Sequence, residues 1–199
     1  NRVHDDLDSH RAALAWLIEH GRSKHASDIA WGLVFFWLIR GLTSEGLRWF
    51  EQILRLPSLQ PVAESRMLVG VAEMLCAQGQ LTRARNALPR ALALADAAQD
   101  AEMIAQAATM FGRVELALGE MTAARNWWVD AIKRFEALKI SWGTGNALFG
   151  LASVELASGD PDQAERLLDK AAAALRHAGP WFLTRTLYVR AVLAAQRGH

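Results

Sequence analysis

Glycines recur at a nearly constant interval along this chain, and each of them ends an apolar, helix-like stretch. Gly41 and Gly79 are followed by Gly119, Gly159 and Gly198, and the last four stand forty, forty and thirty-nine residues apart. A fixed period of this length is typical of a solenoid, in which helical hairpins stack and each repeat packs on its neighbours. The spacing therefore predicts an all-α fold, a solenoid of antiparallel helix pairs.

Apolar periodicity and turn residues divide the chain into about ten helices and no strand. The predicted order is a leading helix at 1–21, four pairs at about 22–60, 61–100, 101–140 and 141–179, and a final helix at 180–198. The first helix of the first pair is predicted to run unbroken from Ser23 to Arg40. We expect residues 1–199 to form one domain. Because the chain starts without methionine, we expect this domain to be part of a longer multidomain protein.

Two kinds of residue keep step with the turn glycines. Five positions after each of the first four glycines stand the small residues Gly46, Ala84, Ala124 and Ala164, and four positions further on stand the larger residues Phe50, Leu88, Trp128 and Leu168. Small residues allow antiparallel helices to approach closely, and the larger ones fill the space between successive pairs. The register therefore predicts which residues form the core.

Proline and aspartate give local signals at two places. In the segment SGDPDQ, Asp160 is predicted to cap a helix that begins at Pro161, because a carboxylate can accept the amide hydrogen left free in the first turn. Pro89 lies inside an otherwise helical stretch, LTRARNALPRALALA. Since proline lacks an amide hydrogen, this helix is predicted to bend or split there.

The register resembles the tetratricopeptide repeat (TPR), although its period is nearer forty residues than about thirty-four. More specifically, LDSHRAALAWLIEHG and FFWLIRGLTSEGLRWFEQIL resemble the start of the repeat region in bacterial STAND-type ATPases, including LuxR-type transcriptional regulators. This resemblance implies a regulatory sensor arm in signal transduction that contacts other domains of its parent protein. The alternative is a general TPR scaffold unconnected with transcription.

The sequence carries neither active domain that this resemblance would bring. It has no GxxxxGK[ST] phosphate loop and no terminal helix-turn-helix pattern, so any ATPase or DNA-binding activity is expected in sequence outside this chain. With 22 basic and 21 acidic residues there is no global field to attract nucleic acid. We expect no enzyme activity, no cofactor and no direct nucleic-acid partner.

The apolar run Ile29–Ile39, about eleven residues long, is shorter than the roughly twenty residues that a membrane-spanning helix needs. The simplest interpretation is a helix buried on nearly all sides. The alternative is an exposed patch that docks another domain or, like the open ends of the solenoid, pairs with a second copy. Because Cys76 is the single cysteine and cannot form an internal disulfide, a cytoplasmic location without membrane insertion is expected.

Two sets of ionisable residues invite a chemical interpretation. The first contains His4, Asp5, Asp6, Asp8 and His10, but their spacing matches no established metal site, and the helix dipole explains acidic residues in a first turn. The second contains Glu115 and Glu155, forty residues apart in RVELALG and SVELASG. A recurring polar contact between repeats explains this pair more simply than acid and base catalysis does. No catalytic or metal-binding residue is predicted.

A binding groove is the remaining prediction, and it rests on the resemblance. The resemblance implies a right-handed superhelix, and in a TPR-like superhelix the first helix of each pair lines the concave side. This register assigns to the groove the residues Trp31, Phe35, Arg66, Glu73, Gln106, Thr109, Arg113, Asn146, Phe149, Ser153, Arg185 and Tyr188. Their mixture of aromatic, amide and guanidinium groups suits a protein or peptide partner, or a small effector. The alternative is an ordinary solvated face.

Overall fold

In the computed structural model the backbone is described for residues 2–176 and 180–196, and side chains for 7–176 and 182–195. Within these ranges the chain forms eleven α-helices, and every regular element is helical. The chain forms two compact units, Asn1–Met103 and Ile104–His199. The all-α prediction is confirmed, and the single-domain organisation stays a prediction.

The first unit contains six complete helices. They are α1 (Arg2–Glu19), α2 (Ser23–Gly32), α3 (Val34–Ile39), α4 (Thr43–Leu54), α5 (Pro61–Ala77) and α6 (Leu81–Ala97). Helices α5 and α6 form a hairpin, α4 packs on α5, and α2 contacts both α4 and α5. Helices that follow one another in the chain are thus also neighbours in the structure.

The predicted helix from Ser23 to Arg40 is broken at Leu33, which separates α2 from α3. Leu33 has φ −92° and ψ −2°, and it follows Gly32, a residue that weakens helix interiors. The predicted burial on nearly all sides is also wrong. Trp37 is buried, but Phe35 is 40% exposed and Ile39 is 50% exposed.

The second unit contains most of α7 (Ala101–Ala117), which begins three residues before the division between the units. The helices that follow are α8 (Met121–Ala137), α9 (Ser141–Ala157), α10 (Pro161–Leu175) and α11 (Pro180–Gln196). Contacts link α8 with α9, α9 with α10, and α10 with α11. Of the predicted final helix at 180–198, residues 197 and 198, including Gly198, lie outside the described residues.

Helix length explains the forty-residue period. Helices α5 to α9 are each seventeen residues long, and turns of three residues separate them. Two such helices and two such turns make one repeat. The period exceeds that of the standard TPR because the helices are longer.

Of the two local predictions made from aspartate and proline, the helix cap at Asp160 is confirmed and the split at Pro89 is not. Asp160 caps α10 as predicted, since its Oδ1 accepts a hydrogen bond from the Gln163 amide at 2.9 Å. The predicted split at Pro89 does not occur, because α6 is one helix from Leu81 to Ala97. Pro89 is exposed on α6.

Left-handed residues end the helices in both kinds of turn. Gly79 has φ +73°; its amide donates to the Cys76 carbonyl at 3.0 Å, and the Gln80 amide donates to the Leu75 carbonyl at 2.9 Å. Lys139, in the turn between pairs, has φ +59° and makes the same two kinds of bond. A side chain is strained in this conformation, whereas glycine is not.

Lys139→Gly should therefore raise the free energy of unfolding by about 0.5–1 kcal/mol, because relief of left-handed strain exceeds the added entropy of the unfolded chain. Urea unfolding followed by circular dichroism measures the change. Lys139→Ala is the matched control, since it removes the charged side chain but keeps the strain. An equal gain in both variants would show that the side chain, not the backbone, causes the effect.

Close helix approach occurs where the register predicted small residues. Ala84, Ala124 and Ala164 are fully buried, and a Cβ atom added to Gly46 would lie 2.9 Å from the Met74 Sδ atom. The predicted large residues are also buried, namely Phe50, Leu88, Trp128 and Leu168. The core register read from the glycines is confirmed within both units.

An ion pair joins the leading helix to α4. The guanidinium of Arg11 donates to both carboxylate oxygens of Glu45, at 2.8 Å from Nε and 2.6 Å from a terminal nitrogen. The Trp49 indole also donates to Glu45, at 3.4 Å. The bonds from Arg11 lower the pKa of the Glu45 carboxyl, and this effect outweighs the opposing effect of partial burial.

This pair makes the stability of the first unit depend on pH. The pKa of Glu45 is lower in the folded state than in the unfolded chain. The ion pair therefore contributes to the free energy of unfolding above the ordinary glutamate pKa, and this contribution is lost as the pH falls through the folded pKa. Glu45→Gln should therefore destabilise the protein most at neutral pH. The difference from wild type should shrink on acidification toward pH 3.

Urea unfolding of both proteins at several pH values measures this difference. Arg11→Gln is the second variant, since it removes the donor and leaves Glu45 in place. It should also flatten the acid limb of the stability curve. A difference between wild type and Glu45→Gln that stayed constant from pH 7 to pH 3 would contradict the assignment.

Candidate functional site

The predicted groove residues of the second unit occupy matched positions on α7, α9 and α11. One row contains Gln106, Asn146 and Arg185, a second contains Thr109, Phe149 and Tyr188, and a third contains Arg113 and Ser153. Within each helix the rows are three and four residues apart, so they share one helix face. We call this set the groove rows.

The structure brings three of these residues into contact. The Arg185 guanidinium lies over the Phe149 ring, with its central carbon 4.1 Å from the ring centroid. A terminal nitrogen of Arg185 donates to the Asn146 Oδ1 atom at 2.7 Å. Cation–π attraction and the hydrogen bond fix the direction of the guanidinium. We call these three residues the arginine cluster.

Solvent exposure increases from one side of the arginine cluster to the other. Asn146 is buried, Phe149 and Arg185 are half-buried, and Tyr188, less than one turn beyond Arg185 on α11, is 69% exposed. The cluster thus places a guanidinium and an aromatic ring next to an exposed phenol. The sequence predicted all of these residues singly but not their contacts.

The remaining groove rows of the second unit are less open. Thr109 is buried, and its hydroxyl donates to the Ala105 carbonyl of its own helix at 3.0 Å. Ser153 is half-buried and donates to the Phe149 carbonyl at 3.0 Å. Gln106 and Arg113 are half-buried. Each of the two hydroxyl groups therefore donates its hydrogen bond to a carbonyl of its own helix.

The predicted groove residues of the first unit form a different arrangement. Arg66 is half-buried and pairs with Asp28 at 3.5 Å, and Asp28 also pairs with Lys24 at 3.0 Å. Trp31 is half-buried on the same helix as Asp28. Sequence reasoning missed Asp28, although its position four residues after Lys24 is the spacing of a helical ion pair.

Three glutamate side chains with matched or groove positions in the sequence are buried. Glu73, assigned to the groove from sequence, is buried, as are Glu115 and Glu155. Arg125 of α8 forms an ion pair with Glu155 of α9. For Glu155 this is the polar contact between successive repeats that the sequence predicted.

The described side chains include no group of three His, Cys, Asp or Glu residues placed to hold a metal ion. Of the acidic and histidine-bearing start, His4, Asp5 and Asp6 lie outside the described side chains. Over the helices that the structure describes, none combines the length and apolar character that crossing a bilayer requires.

Comparison with known proteins supports the helical-repeat fold. A family model described as "Tetratricopeptide repeat" matches residues 103–177. No curated protein sequence matches the chain.

Three solved structures are similar at low sequence identity. BtubC (BKLC) from P. vanneervenii is 15% identical with a TM-score of 0.74, over 96% of this chain and 84% of that one. A Rap protein complexed with competence and sporulation factor is 12% identical with a TM-score of 0.77, over 86% and 49%. Aspartyl phosphate phosphatase F from Bacillus subtilis is 15% identical with a TM-score of 0.72, over 94% and 50%.

This chain thus spans about half the length of the last two proteins. At these identities the likeness shows the fold alone. Together with the helix pairs described above, the comparisons show an all-α, TPR-like helical repeat.

Proposed function

We propose that this chain is a non-catalytic module that binds a protein or peptide on the groove rows. The arginine cluster is the observation that supports this proposal most directly. It joins side chains from two successive first helices, holds a guanidinium in a fixed direction and lies beside the exposed Tyr188. Preorganised Arg and aromatic groups of this kind are characteristic of interaction surfaces. The Rap protein, a structural neighbour, was crystallised with competence and sporulation factor.

Within that function, we propose that the chain is the sensor arm of a STAND or LuxR-type transcriptional regulator. The support is the resemblance of LDSHRAALAWLIEHG and FFWLIRGLTSEGLRWFEQIL to the start of such repeat regions. Nucleotide hydrolysis and DNA binding would then belong to other domains of the parent protein. The full reading frame tests this assignment. A phosphate loop before the repeats and a helix-turn-helix after them would support it, and their absence would favour a general scaffold.

Affinity capture tests the binding function. The chain is immobilised, incubated with lysate of the source organism, and the retained proteins are identified by mass spectrometry. Each candidate is then purified and its dissociation constant measured by calorimetry. The double variant Asn146→Ala, Tyr188→Ala should lose the partner.

The matched control is Arg166→Ala, an exposed residue of α10 outside the groove rows. It should keep the partner. A purified partner that bound the double variant and the wild type equally would remove the groove rows from the proposal.

A further inference from the structure

Helix α11 carries an uncharged surface on its exposed side. Its described side chains are those of residues 182–195, and every exposed one among them lies on a single face and bears no charge. The preceding helix is different, since α10 presents Asp162, Arg166, Asp169 and Lys170 to solvent. Charged and polar residues normally cover the solvent side of a surface helix. We call the six exposed residues the α11 face, namely Thr184, Leu187, Tyr188, Ala191, Val192 and Ala195.

The corresponding face of α9 is covered by its second helix. Thr184, Leu187 and Ala191 stand thirty-nine residues after Gly145, Leu148 and Ala152 of α9. Gly145 approaches α10 so closely that an added Cβ atom would lie 3.2 Å from the Ala171 carbonyl oxygen. Leu148 is 8% exposed, whereas Leu187 is 44% exposed. The second helix α10 therefore covers this face on α9, whereas on α11 the same face is open to solvent.

The α11 face also has the residue pattern of a second helix. The buried residues of α6, the second helix of its pair, follow one another at intervals of four, three and four, as Ala84, Leu88, Ala91 and Ala95. Helix α11 repeats these intervals, and the order small, large, small, small, with Thr184, Tyr188, Ala191 and Ala195. One face thus combines the features of both helices of a pair.

This double character allows two copies of α11 to pair with each other. In the pair of α5 and α6, the Ser65 hydroxyl donates to the Ala91 carbonyl at 2.7 Å. Thr184 matches Ser65 when α11 is aligned with the first helix, and Ala191 matches Ala91 when α11 is aligned with the second. An antiparallel pair of α11 helices therefore places Thr184 of each copy beside Ala191 of the other. A twofold, isologous interface requires this reciprocity.

We propose that two copies of this chain associate through the α11 face, as an antiparallel pair of α11 helices. Each α11 acts as the second helix for the other copy and removes Leu187, Tyr188 and Val192 from solvent. Self-association of this kind goes beyond the proposed binding function and does not depend on it. Because one helix face is smaller than a standard interface, we expect a dissociation constant on the order of micromolar.

Sedimentation velocity tests the self-association. The chain is measured from about 1 µM to a few hundred micromolar, and a reversible shift from monomer to dimer is the expected result. Ala191→Glu should raise the dissociation constant at least about tenfold, because each copy would bring an unpaired carboxylate into the helix contact. Ala93→Glu is the matched control, since Ala93 is exposed on α6, and it should change the constant less than about twofold. Circular dichroism confirms that each variant folds.

Cross-linking tests which surfaces meet, and it decides alone if Ala191→Glu does not fold. Cys76, the single cysteine, is first replaced by alanine, and Leu187→Cys then supplies one thiol near the centre of the α11 face. A short bifunctional maleimide should join two copies of this variant, because a twofold axis brings the middle of each face close to itself. Ala93→Cys in the same background should stay monomeric under the same conditions.

The outcomes separate the α11 face from other surfaces. A dimer that Ala191→Glu weakens, that Ala93→Glu leaves intact and that Leu187→Cys captures supports the proposal. A chain that stays monomeric over the whole range overturns it, and so does a dimer that Ala191→Glu leaves intact or that Leu187→Cys fails to capture. None of these results bears on the proposed peptide binding, because Leu187 and Ala191 lie outside the groove rows and Tyr188, which belongs to them, is left unchanged.

Discussion

Replacing Ala124 with arginine should lower the free energy of unfolding by about 3 kcal/mol or more. Ala124 is fully buried in a core cluster that includes Trp128 and Ala131 of the same helix and Ala147 and Leu151 of α9. Arginine at this place would force a long side chain into a close helix crossing and bring an unpaired charge into the core. The midpoint of urea unfolding followed by circular dichroism measures the loss.

Asn126→Arg is the matched control for this variant. Asn126 is exposed on the same helix, two residues away, so the added guanidinium remains in water. Its effect should stay within about 0.5 kcal/mol. If the Ala124 variant unfolded at the wild-type midpoint, the small-residue register would be wrong.

A single methyl group at Gly70 should lower the free energy of unfolding by about 2 kcal/mol, an effect of overpacking. A Cβ atom added to Gly70 would lie 2.6–2.8 Å from three ring atoms of Phe50. The Phe50 ring is fully buried and packs edge-on against Trp37, so it has little room to move. Thermal and urea unfolding of Gly70→Ala measure the cost.

Gly32→Ala is the matched control, because it adds the same methyl group where no heavy atom lies within 4 Å. It should be neutral or stabilising by up to about 1 kcal/mol, since alanine favours helix. Phe50→Leu should offset part of the Gly70→Ala loss, so that the double variant is more stable than the sum of the two single losses predicts. A strictly additive double variant would show that the Phe50 ring is not the cause.

The sequence predicted the repeat fold because its main signals are local. A turn glycine such as Gly79 ends a helix through its own left-handed conformation, so its spacing reveals the period directly. Turns between pairs were harder to recognise, since Gln99 and Lys139 take the left-handed conformation without being glycine. The break at Leu33 was missed because the apolar residues on both sides of Gly32 fit one continuous helix, although glycine weakens helix interiors.

The site was predictable as a face but not as a set of contacts. A constant repeat step places Asn146 and Arg185 in one row from sequence alone. That Arg185 also reaches across to Phe149, one turn along α9, depends on how α11 packs against α9, and no residue pattern encodes this. Thr109 shows the same limit, because a hydroxyl on the predicted face can be turned inward to its own helix.

Large and small residues complement each other across the junction from one pair to the next, and this sets where the chain can be recombined. Phe50 of α4 lies against Gly70 of α5, and Trp128 of α8 lies against Gly150 of α9. At the last junction Val189 of α11 takes the place of the glycine and packs against the cluster that contains Leu168 of α10. A chimaera cut at the pair boundaries would separate each ring from the glycine that accommodates it. Trp128 also lies against Gly112 of α7, so the segment that can be exchanged without disturbing this ring comprises α7, α8 and α9 together.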